Sequence, residues 1–336
     1  MVVARKYVVK KYFQGEPKIS DYEIVNETLP PLKDGEILIK TEWISIDPYQ
    51  LIYNSTLPLP YDQFGFQVGI VQESKDPNHP VGSRVVTHKG WCDYSIVNMS
   101  EPILGKEHIK YALPDLQGLS PSLALGAVGM PGATAYLSFL EIGKPKPGDV
   151  VAITGAAGAV GSLVGQIAKI KGCKVIGFAG SDRKVEWLKK DLGFDSAYNY
   201  KTVNIANALR EAAPDGVDIY LDNVGGEISS TIMYQMTTGG RVVNVGSISS
   251  FFPKADVLPK VTLVQPAILF KSLKLEGFKI WDRYDSWHGA FVELVKLIKS
   301  GELKTPEHVT EGFDKVFEAF IAMLSGENTG KAVVKL

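Results

Sequence analysis

The middle of the chain contains a glycine-rich turn between an apolar run and an amphipathic helix, and no other segment restricts the architecture as strongly. A β-branched apolar run at 150–154 is followed by Gly155, Gly158 and Gly161, and a second apolar run lies at 174–179. Small residues in such a turn let backbone N–H groups approach a pyrophosphate, and the amino end of the helix adds partial positive charge. A tight turn without a ligand is the alternative. The position between a strand and a helix favours dinucleotide binding.

From residue 150 onward, apolar runs alternate with amphipathic stretches. The predicted strands are 150–154, 174–179, 196–199, 217–222, 241–246 and 273–280. The predicted helices are 159–171, 182–192, 203–212 and 226–237, with further helical periodicity at 288–299. Six strands joined by helical crossovers predict an α/β fold with a doubly wound, parallel six-stranded sheet of the Rossmann type.

The first 125 residues have a different pattern, in which short apolar or alternating runs are separated by proline and glycine. These runs are 5–10, 22–25, 35–45, 67–73, 83–87 and 93–98. They predict the strands of an irregular barrel or sandwich. Helical stretches follow at 121–130 and 132–142, and Pro131 is expected to divide them.

The tail of the chain combines helical periodicity at 313–324 with a strand-like ending at 331–336. We expect it to return to the first domain. The predicted organisation is therefore a β-rich domain at 1–125, a dinucleotide-binding domain at 126–299 and a returning segment at 300–336.

Composition and charge exclude several classes of partner. The formal net charge of −1 gives no reason to expect nucleic acid or an anionic membrane. Neither a transmembrane-length apolar run nor a signal-peptide core is present, so we expect a cytoplasmic protein. The two cysteines, Cys92 and Cys173, are too few for a tetrahedral zinc site, and the histidines lack metal-ligand spacing. No metal site is predicted.

The residues after the second strand of the nucleotide-binding unit predict the cofactor. NAD-specific folds place an acid at this position, whereas here Gly180 and Ser181 occupy it, with Arg183 and Lys184 just beyond. Space and cationic donors suit a 2′-phosphate, so we predict NADP(H). Asp182 complicates the choice of cofactor, because it could be the acid of an NAD site. Alternatively, Asp182 is an acidic residue at the start of the next helix.

Residues after the later strands are expected near the cofactor. Tyr200 could stack on the adenine or touch the phosphate, or it could simply pack at a strand end. Because ligands bind beyond the carboxyl ends of parallel strands, Asn223, Gly246 and Ser247 are predicted to line the nicotinamide crevice.

Several strings carry a resemblance to a known family. They are Asp47-Pro48-Tyr49, Gly-Met-Pro-Gly-Ala-Thr-Ala-Tyr at 129–136, the glycine turn, Asn199-Tyr200-Lys201, Asp-Asn-Val-Gly-Gly at 222–226 and Gly-Glu-Asn-Thr-Gly-Lys at 326–331. With these strings, the chain resembles the zinc-free medium-chain dehydrogenases/reductases of the leukotriene/prostaglandin reductase and alkenal double-bond reductase family. The resemblance extends over nearly the whole chain. The resemblance implies a GroES-like β-rich catalytic domain and a homodimer. It also implies NADPH-dependent reduction of carbon–carbon double bonds in enones and enals such as 15-oxo-prostaglandins and lipid-derived 2-alkenals.

The resemblance also implies a set of cofactor contacts. They are Gly158, Ala159, Val160, Gly161, Lys184, Tyr200, Asn223, Val245, Gly246, Ser247, Ile248, Ser249, Phe251, Phe278 and Asn328.

Such a reduction needs a hydrogen-bond donor for the enolate oxygen that forms when hydride reaches the β-carbon. Relatives commonly have a tyrosine where this chain has Phe270, and Met-Arg where it has Gln50-Leu51. The candidate donors are Tyr49, Tyr284, or the cofactor ribose with water, and Tyr49 is preferred.

Aromatic residues Phe64, Trp91 and Trp281 are candidates for an apolar substrate wall.

Two other functions remain open at this point. A quinone oxidoreductase could share the fold and the metal-free site. A non-catalytic NADPH-binding protein is the third alternative, because Phe270 lacks the hydroxyl of the family tyrosine.

Overall fold

A computed structural model describes residues 2–52, 54, 57–101, 109–250 and 261–336. The chain divides into two units, one formed by Met1–Gly126 with Glu307–Leu336 and the other by Ala127–Pro306. The predicted α/β architecture with a separate β-rich part is confirmed. The second unit extends to Pro306, beyond the residue 299 that the sequence suggested as its end.

The first unit is built from strands whose alternating or apolar runs were visible in the sequence. Its strands are β1 Val3–Val9, β2 Tyr22–Thr28, β3 Glu36–Ile46, β4 Tyr61–Asp62, β5 Gln67–Ser74, β6 Arg84–Thr87, β7 Tyr94–Asn98, β8 Lys110–Ala112, β15 Glu307–Glu311 and β16 Lys331–Lys335. Two helices accompany them, α1 Tyr49–Ile52 and α9 Val316–Leu324. The strands form a three-stranded sheet, β2-β1-β4, and a seven-stranded sheet in the order β15-β16-β3-β5-β6-β8, with β7 also paired to β3.

The end of the chain completes the larger sheet of the first unit. Strand β16 pairs antiparallel with β3, so that Ala332 lies opposite Ile46, and β15 pairs parallel with β16. A small apolar core of Ile37, Ile39, Val71, Val85 and Val97 lies on this sheet. In the tail itself, Val333 and Val334 of β16 are fully buried, and burial of these β-branched side chains favours the return of the tail to this sheet.

A buried ion pair lies where β16 meets the end of β3. The Lys331 ammonium is 2.6 Å from Asp47 Oδ1 and 2.7 Å from the Ile46 carbonyl oxygen, and both charged side chains are 5% exposed. The Ser45 hydroxyl donates to the other carboxylate oxygen. Burial lowers the pKa of Lys331, while Asp47 acts in the opposite direction. The pair therefore offsets the cost of placing an ammonium inside the unit.

The second unit contains one parallel sheet covered by helices. Its strands are β9 Val150–Thr154, β10 Lys174–Ala179, β11 Ser196–Asn199, β12 Val217–Asp222, β13 Met236–Asn244 and β14 Lys274–Gly277. Its helices are α2 Met130–Ser138, α3 Ala159–Ile170, α4 Asp182–Lys190, α5 Ile205–Ala212, α6 Gly226–Met233, α7 Gln265–Lys271 and α8 Trp287–Lys299. The strand order β11-β10-β9-β12-β13-β14 confirms the predicted six-stranded, doubly wound sheet.

The predicted division of residues 121–142 at Pro131 was wrong. Helix α2 contains Pro131 in its first turn, and a π-helical segment, Phe139–Gly143, continues from its end. Proline is tolerated in a first turn because the N–H that it lacks has no intrahelical partner there. Residues Pro121–Leu125 form a short 3₁₀ helix instead of the start of a longer α-helix.

Among the described residues, none of the helices combines the length and the apolar character that a membrane crossing requires.

Removing one partner of the buried ion pair should destabilise the protein strongly. We expect Lys331→Met to lower the free energy of unfolding by about 3 kcal/mol, because the Asp47 carboxylate would stay buried without its cation. Lys315→Met removes a lysine from the exposed pair with Glu318 and should cost no more than about 0.5 kcal/mol. Urea unfolding of both variants measures the difference. Equal losses would contradict the structural role of the buried pair.

Candidate active site

The glycine turn at the end of β9 brings backbone N–H groups to the amino end of α3. Gly155 has a φ of +60°, a conformation that favours glycine, and Gly158 is the N-cap of the helix with no side chain over it. A Cβ atom on Gly161 would lie 2.5 Å from the Gly155 carbonyl oxygen, so only glycine allows this close approach. The half-buried first-turn residues Ala159 and Val160 leave the N–H groups accessible to an anion.

A buried carboxylate organises the loop after β12. Asp222 Oδ1 accepts hydrogen bonds from the N–H groups of Val224 (3.0 Å) and Gly225 (2.8 Å), and Oδ2 accepts from the Ser229 hydroxyl at 2.6 Å. These donors compensate the negative charge where no lysine or arginine is bonded to it among the described residues. Asn223 is thereby held beside the glycine turn, where its Nδ2 donates to the Thr154 carbonyl oxygen at 2.7 Å.

The loop after β13 is attached to the same backbone. The N–H groups of Val245 and Gly246 donate to the Asp222 carbonyl oxygen at 2.9 and 3.1 Å, and the Ser249 N–H donates to the Val224 oxygen at 3.0 Å. The structure therefore brings Asn223 and the 245–249 segment together at the carboxyl edge of the sheet, where ligands of doubly wound folds bind. The predicted contact Phe251 lies outside the described residues.

Phe278 follows β14 at the same edge. Its N–H donates to the Asn244 carbonyl oxygen at 2.8 Å, and its side chain is buried.

Cationic side chains gather beyond the end of β10. Lys184, in the first turn of α4, is only 8% exposed, and burial lowers its pKa, with Arg183 and Lys201 contributing in the same direction. Three nearby cations repel one another, and a dianionic phosphate placed among them would remove that cost. Tyr200 is exposed beside this cluster, and a Cβ on Gly180 would lie 3.4 Å from its hydroxyl.

Asp182 begins α4 and is hydrogen-bonded within the protein. Its carboxylate accepts a hydrogen bond from Asn199 Nδ2 at 2.8 Å, and Ser181 caps α4 by accepting from the Lys184 N–H at 3.4 Å. Of the two alternatives for Asp182, these contacts favour the helix start.

Tyr49 is the first residue of α1 and lies in an aromatic group of the first unit. Its Oη is 2.8 Å from Nε2 of His88, and the two rings are stacked at 5.9 Å between centroids. Phe64 stands 5.9 Å from both rings, and Phe66 meets His88 edge-on at 4.7 Å. A phenol held by a hydrogen bond inside an apolar group is suited to donate to a carbonyl oxygen.

Gln50, which replaces the methionine of the family pattern, fixes this helix. Its Oε1 accepts from the Asp47 N–H at 3.0 Å, and its Nε2 donates to the Phe64 carbonyl oxygen at 3.0 Å. The side chain is fully buried. Gln50 thus has a structural role, tying the Tyr49 turn to the segment that carries Phe64.

Tyr284 and Phe270 both belong to the second unit. Tyr284 lies in the 3₁₀ segment Ile280–Ser286 and packs against Trp287 at 5.3 Å. Burial raises the pKa of Tyr284, and Asp285 adds to this. Phe270 lies on α7 just before β14 begins and is 81% exposed. It therefore stands near the amino edge of the sheet, whereas the glycine turn is at the carboxyl edge.

The three aromatic residues proposed as a substrate wall are not equivalent. Trp91 is 1% exposed and is packed between Tyr7, Tyr22 and Phe320, so it belongs to the core. Phe64 belongs to the group around Tyr49. Trp281 lies in the second unit, where its ring centroid is 6.0 Å from that of Trp287.

Asn328 lies in the first unit, and its Nδ2 donates to the Gly330 carbonyl oxygen at 2.8 Å.

Sequence reasoning missed three functional candidates. His88 has no motif around it, and only the fold places it against Tyr49. Lys201 follows Tyr200 in the Asn-Tyr-Lys string, which could have identified it as a further cation. Asp222 begins the Asp-Asn-Val-Gly-Gly string, but its role as a buried acceptor follows only from the loop geometry. Among the described residues, no group of three or more His, Cys, Asp or Glu could hold a metal ion.

The chain matches known families of oxidoreductases over both units. A family model described as "Zinc-binding dehydrogenase" matches residues 159–299, and one described as "N-terminal domain of oxidoreductase" matches residues 5–103. Prostaglandin reductase 1 of Bos taurus is 46% identical over 100% of both chains. The 2-alkenal reductase (NADP(+)-dependent) of Nicotiana tabacum is 34% identical over 98% of this chain and 96% of its own length.

Solved structures agree with the sequence relatives. CurA from Vibrio vulnificus in complex with NADPH is 33% identical, covers 98% of each chain and superposes with a TM-score of 0.89. Since the similarity to these reductases spans both units and the glycine turn, the chain belongs to the zinc-free prostaglandin and alkenal reductase family of the medium-chain dehydrogenases/reductases.

Proposed function

We propose that this protein uses NADPH to reduce the carbon–carbon double bond of α,β-unsaturated ketones and aldehydes. The observation that carries the proposal is the full-length similarity to two kinds of reductase, one named for prostaglandins and one for 2-alkenals. A 2-alkenal contains a double bond conjugated to a carbonyl. The substrate class proposed here therefore includes 15-oxo-prostaglandins and lipid-derived 2-alkenals.

The second unit has the features that NADP(H) requires. The turn formed by Gly158, Ala159, Val160 and Gly161 would bind the pyrophosphate through backbone N–H groups. Lys184 and Tyr200, joined by Lys201, would hold the 2′-phosphate. The remaining proposed contacts, toward the nicotinamide end, are Asn223, Val245, Gly246, Ser247, Ile248, Ser249 and Phe278. Asn328 and Phe251 rest on the family resemblance alone.

The chemistry needs one hydride and one proton. Bound NADPH supplies the hydride for the β-carbon, and a proton added at the α-carbon completes the saturated carbonyl product. Negative charge develops on the carbonyl oxygen in between, and the Tyr49 phenol is our proposed donor to that oxygen. Tyr284 is the second candidate, supported by its half-buried position beside Trp287.

Activity on a panel of conjugated carbonyls tests the proposal. We expect NADPH oxidation with 2-nonenal, 4-hydroxynonenal and 15-oxo-prostaglandin, with the saturated carbonyl as the product identified by mass spectrometry. Turnover of quinones to hydroquinones without reduction of any enone would assign a quinone oxidoreductase instead. Tight NADPH binding without turnover of any compound in the panel would reveal a binding protein.

Replacement of Lys184 tests the choice of cofactor. We expect Lys184→Ala to weaken NADPH binding by about 30-fold, roughly 2 kcal/mol, because a charge-assisted hydrogen bond to the 2′-phosphate is lost. NADH has no such phosphate, and its affinity should change less than about twofold. Lys189→Ala, at the exposed carboxyl end of the same helix, is the matched control. Calorimetric titration with both dinucleotides measures these effects, and an equal loss for NADH would contradict the phosphate role.

We also propose a homodimer that uses the β14 edge of the sheet. Strand β14 is the last in the sheet order, and all four of its residues are exposed. Nearby apolar residues Leu263, Leu269, Phe270 and Leu275 are exposed as well. An apolar patch beside an open strand edge is typical of an interface.

Sedimentation experiments test the oligomeric state. The native protein should sediment at twice the mass of its 36.6 kDa chain, and Leu269→Glu with Phe270→Glu should shift it to the monomer. Val292→Glu, on an exposed position of α8, should leave the dimer intact. A monomeric native protein would reject this interface.

A cytoplasmic location is proposed from the state of the cysteines. Cys92 and Cys173 are both buried and unpaired. Burial raises their thiol pKa values to about 12 and about 11. Inert, reduced thiols are the usual state in a reducing compartment.

A further inference from the structure

We infer that His88 is a positioning residue for Tyr49, donating from its Nε2–H to the phenol oxygen so that the phenol hydrogen points to the substrate carbonyl. The inference rests on the proposed function, in which Tyr49 stabilises the enolate oxygen. It adds a residue that none of the sequence motifs contains.

The contact between the two side chains is a direct hydrogen bond. Tyr49 Oη and His88 Nε2 are 2.8 Å apart, within the range of a well-formed bond. The two ring planes lie within 20° of each other. His88 is 5% exposed, and Tyr49 is half-buried. A buried imidazole thus backs a phenol that keeps some access to a ligand.

The fold holds the imidazole rigidly in this position. Strand β6 ends at Thr87, which pairs with Gln67 of β5, so that His88 and Phe66 leave the paired strands side by side. Phe66 meets the imidazole edge-on at 4.7 Å, and Phe64 stacks on it at 5.9 Å with planes 25° apart. Rings packed on two sides restrict the imidazole to one orientation, which is what a preorganised hydrogen-bond donor needs.

The phenol is fixed from the other side. The Gln50 side chain bonds the Asp47 N–H and the Phe64 carbonyl oxygen, so the turn that carries Tyr49 is attached to the segment that packs on His88. The Gln50 hydrogen bonds on one side and the ring contacts of His88 on the other therefore favour the observed approach of Oη to Nε2.

If Tyr49 is the donor to the enolate, proton counting fixes the direction of the hydrogen bond with His88. A phenol has one hydrogen and two lone pairs, and a neutral imidazole has one donor and one acceptor nitrogen. If Tyr49 donated to His88, its hydrogen would be unavailable to an enolate. If His88 carries its hydrogen on Nε2, Tyr49 accepts that bond and donates its own hydrogen to the substrate oxygen. Polarisation along the chain then strengthens the second bond.

No covalent change of either side chain is needed. The hydride joins the β-carbon, negative charge collects on the carbonyl oxygen under the Tyr49 hydrogen, and a water proton reaches the α-carbon. Both side chains end the cycle as they began it. His88 therefore acts through Tyr49 and contacts no reacting atom.

A double-mutant cycle tests the coupling. We expect Tyr49→Phe to lower kcat about 100-fold and His88→Leu to lower it about tenfold, with KM changed less than about twofold in each. In the Tyr49→Phe background, His88→Leu should have less than about a twofold effect, because its acceptor is gone. His88→Gln, whose amide can still donate, should recover most of the activity. His79→Gln, which replaces another histidine of the same unit, is the control for histidine loss.

Multiplicative losses in the cycle would overturn the inference, because His88 would then act independently of Tyr49. So would a matching rise in KM, which would indicate altered substrate packing. A melting temperature and an NADPH affinity close to those of the native protein identify the variants that are folded, and His88→Gln serves if His88→Leu is not.

Nuclear magnetic resonance tests the hydrogen-bond direction without any turnover. In protein labelled with ¹⁵N-histidine, at about pH 8, we expect the His88 Nε2 to carry a hydrogen whose signal shifts in Tyr49→Phe. The signal lost in His88→Gln identifies the residue, and His79, bonded through Nδ1 to Asp76, supplies an internal reference. A His88 Nε2 without a hydrogen would reject the inference even if enones are reduced. Conversely, if His88 carries the Nε2 hydrogen but no enone is reduced, the proposed function is contradicted and the pair is only a structural contact.

Discussion

The buried ion pair between Asp47 and Lys331 is the contact on which the first unit depends. It joins residues 284 positions apart, one at the end of β3 and the other at the start of β16. Two charges at 5% exposure would be costly apart, and together they also satisfy the Ile46 carbonyl and the Ser45 hydroxyl. Because Tyr49 follows Asp47 by two residues, the pair that closes the sheet also fixes the turn from which the phenol projects.

The second unit stabilises a buried carboxylate by a different means. Asp222 accepts bonds from two backbone N–H groups and the Ser229 hydroxyl instead of from a lysine. Neutral donors satisfy the charge, and in the part of the chain that the structure describes no lysine or arginine is bonded to this carboxylate. The two carboxylates thus hold two different loops: Asp47 a turn in the β-rich unit, and Asp222 the loop beside the glycine turn. In each unit the residue proposed to meet a ligand follows the buried acid by one or two positions and is not the acid itself.

Periodicity and turn chemistry were enough to predict most of the sheet elements. The strands at 150–154, 174–179, 196–199 and 217–222 agree with the structure to the residue. Short runs between clear turns and helical stretches define their ends. Pro131 was misread as a helix breaker, since its place in a first turn depends on where the helix begins. His88 could not be predicted at all. Its partner is 39 residues away, and only the β5–β6 pairing brings it to Tyr49.

The phenylalanine at position 270 shows why a missing functional group must be judged by its position. From the sequence alone, the absence of a hydroxyl there argued for a weakened enzyme. In this chain Phe270 lies on an exposed helix near the amino edge of the sheet, together with other apolar residues. An exposed apolar side chain in such a group fits the dimer interface proposed above. The proposed enolate donor, the Tyr49 phenol bonded to His88, does not require a hydroxyl at 270. Under these two proposals, the substitution affects the association of the chain and not the reduction.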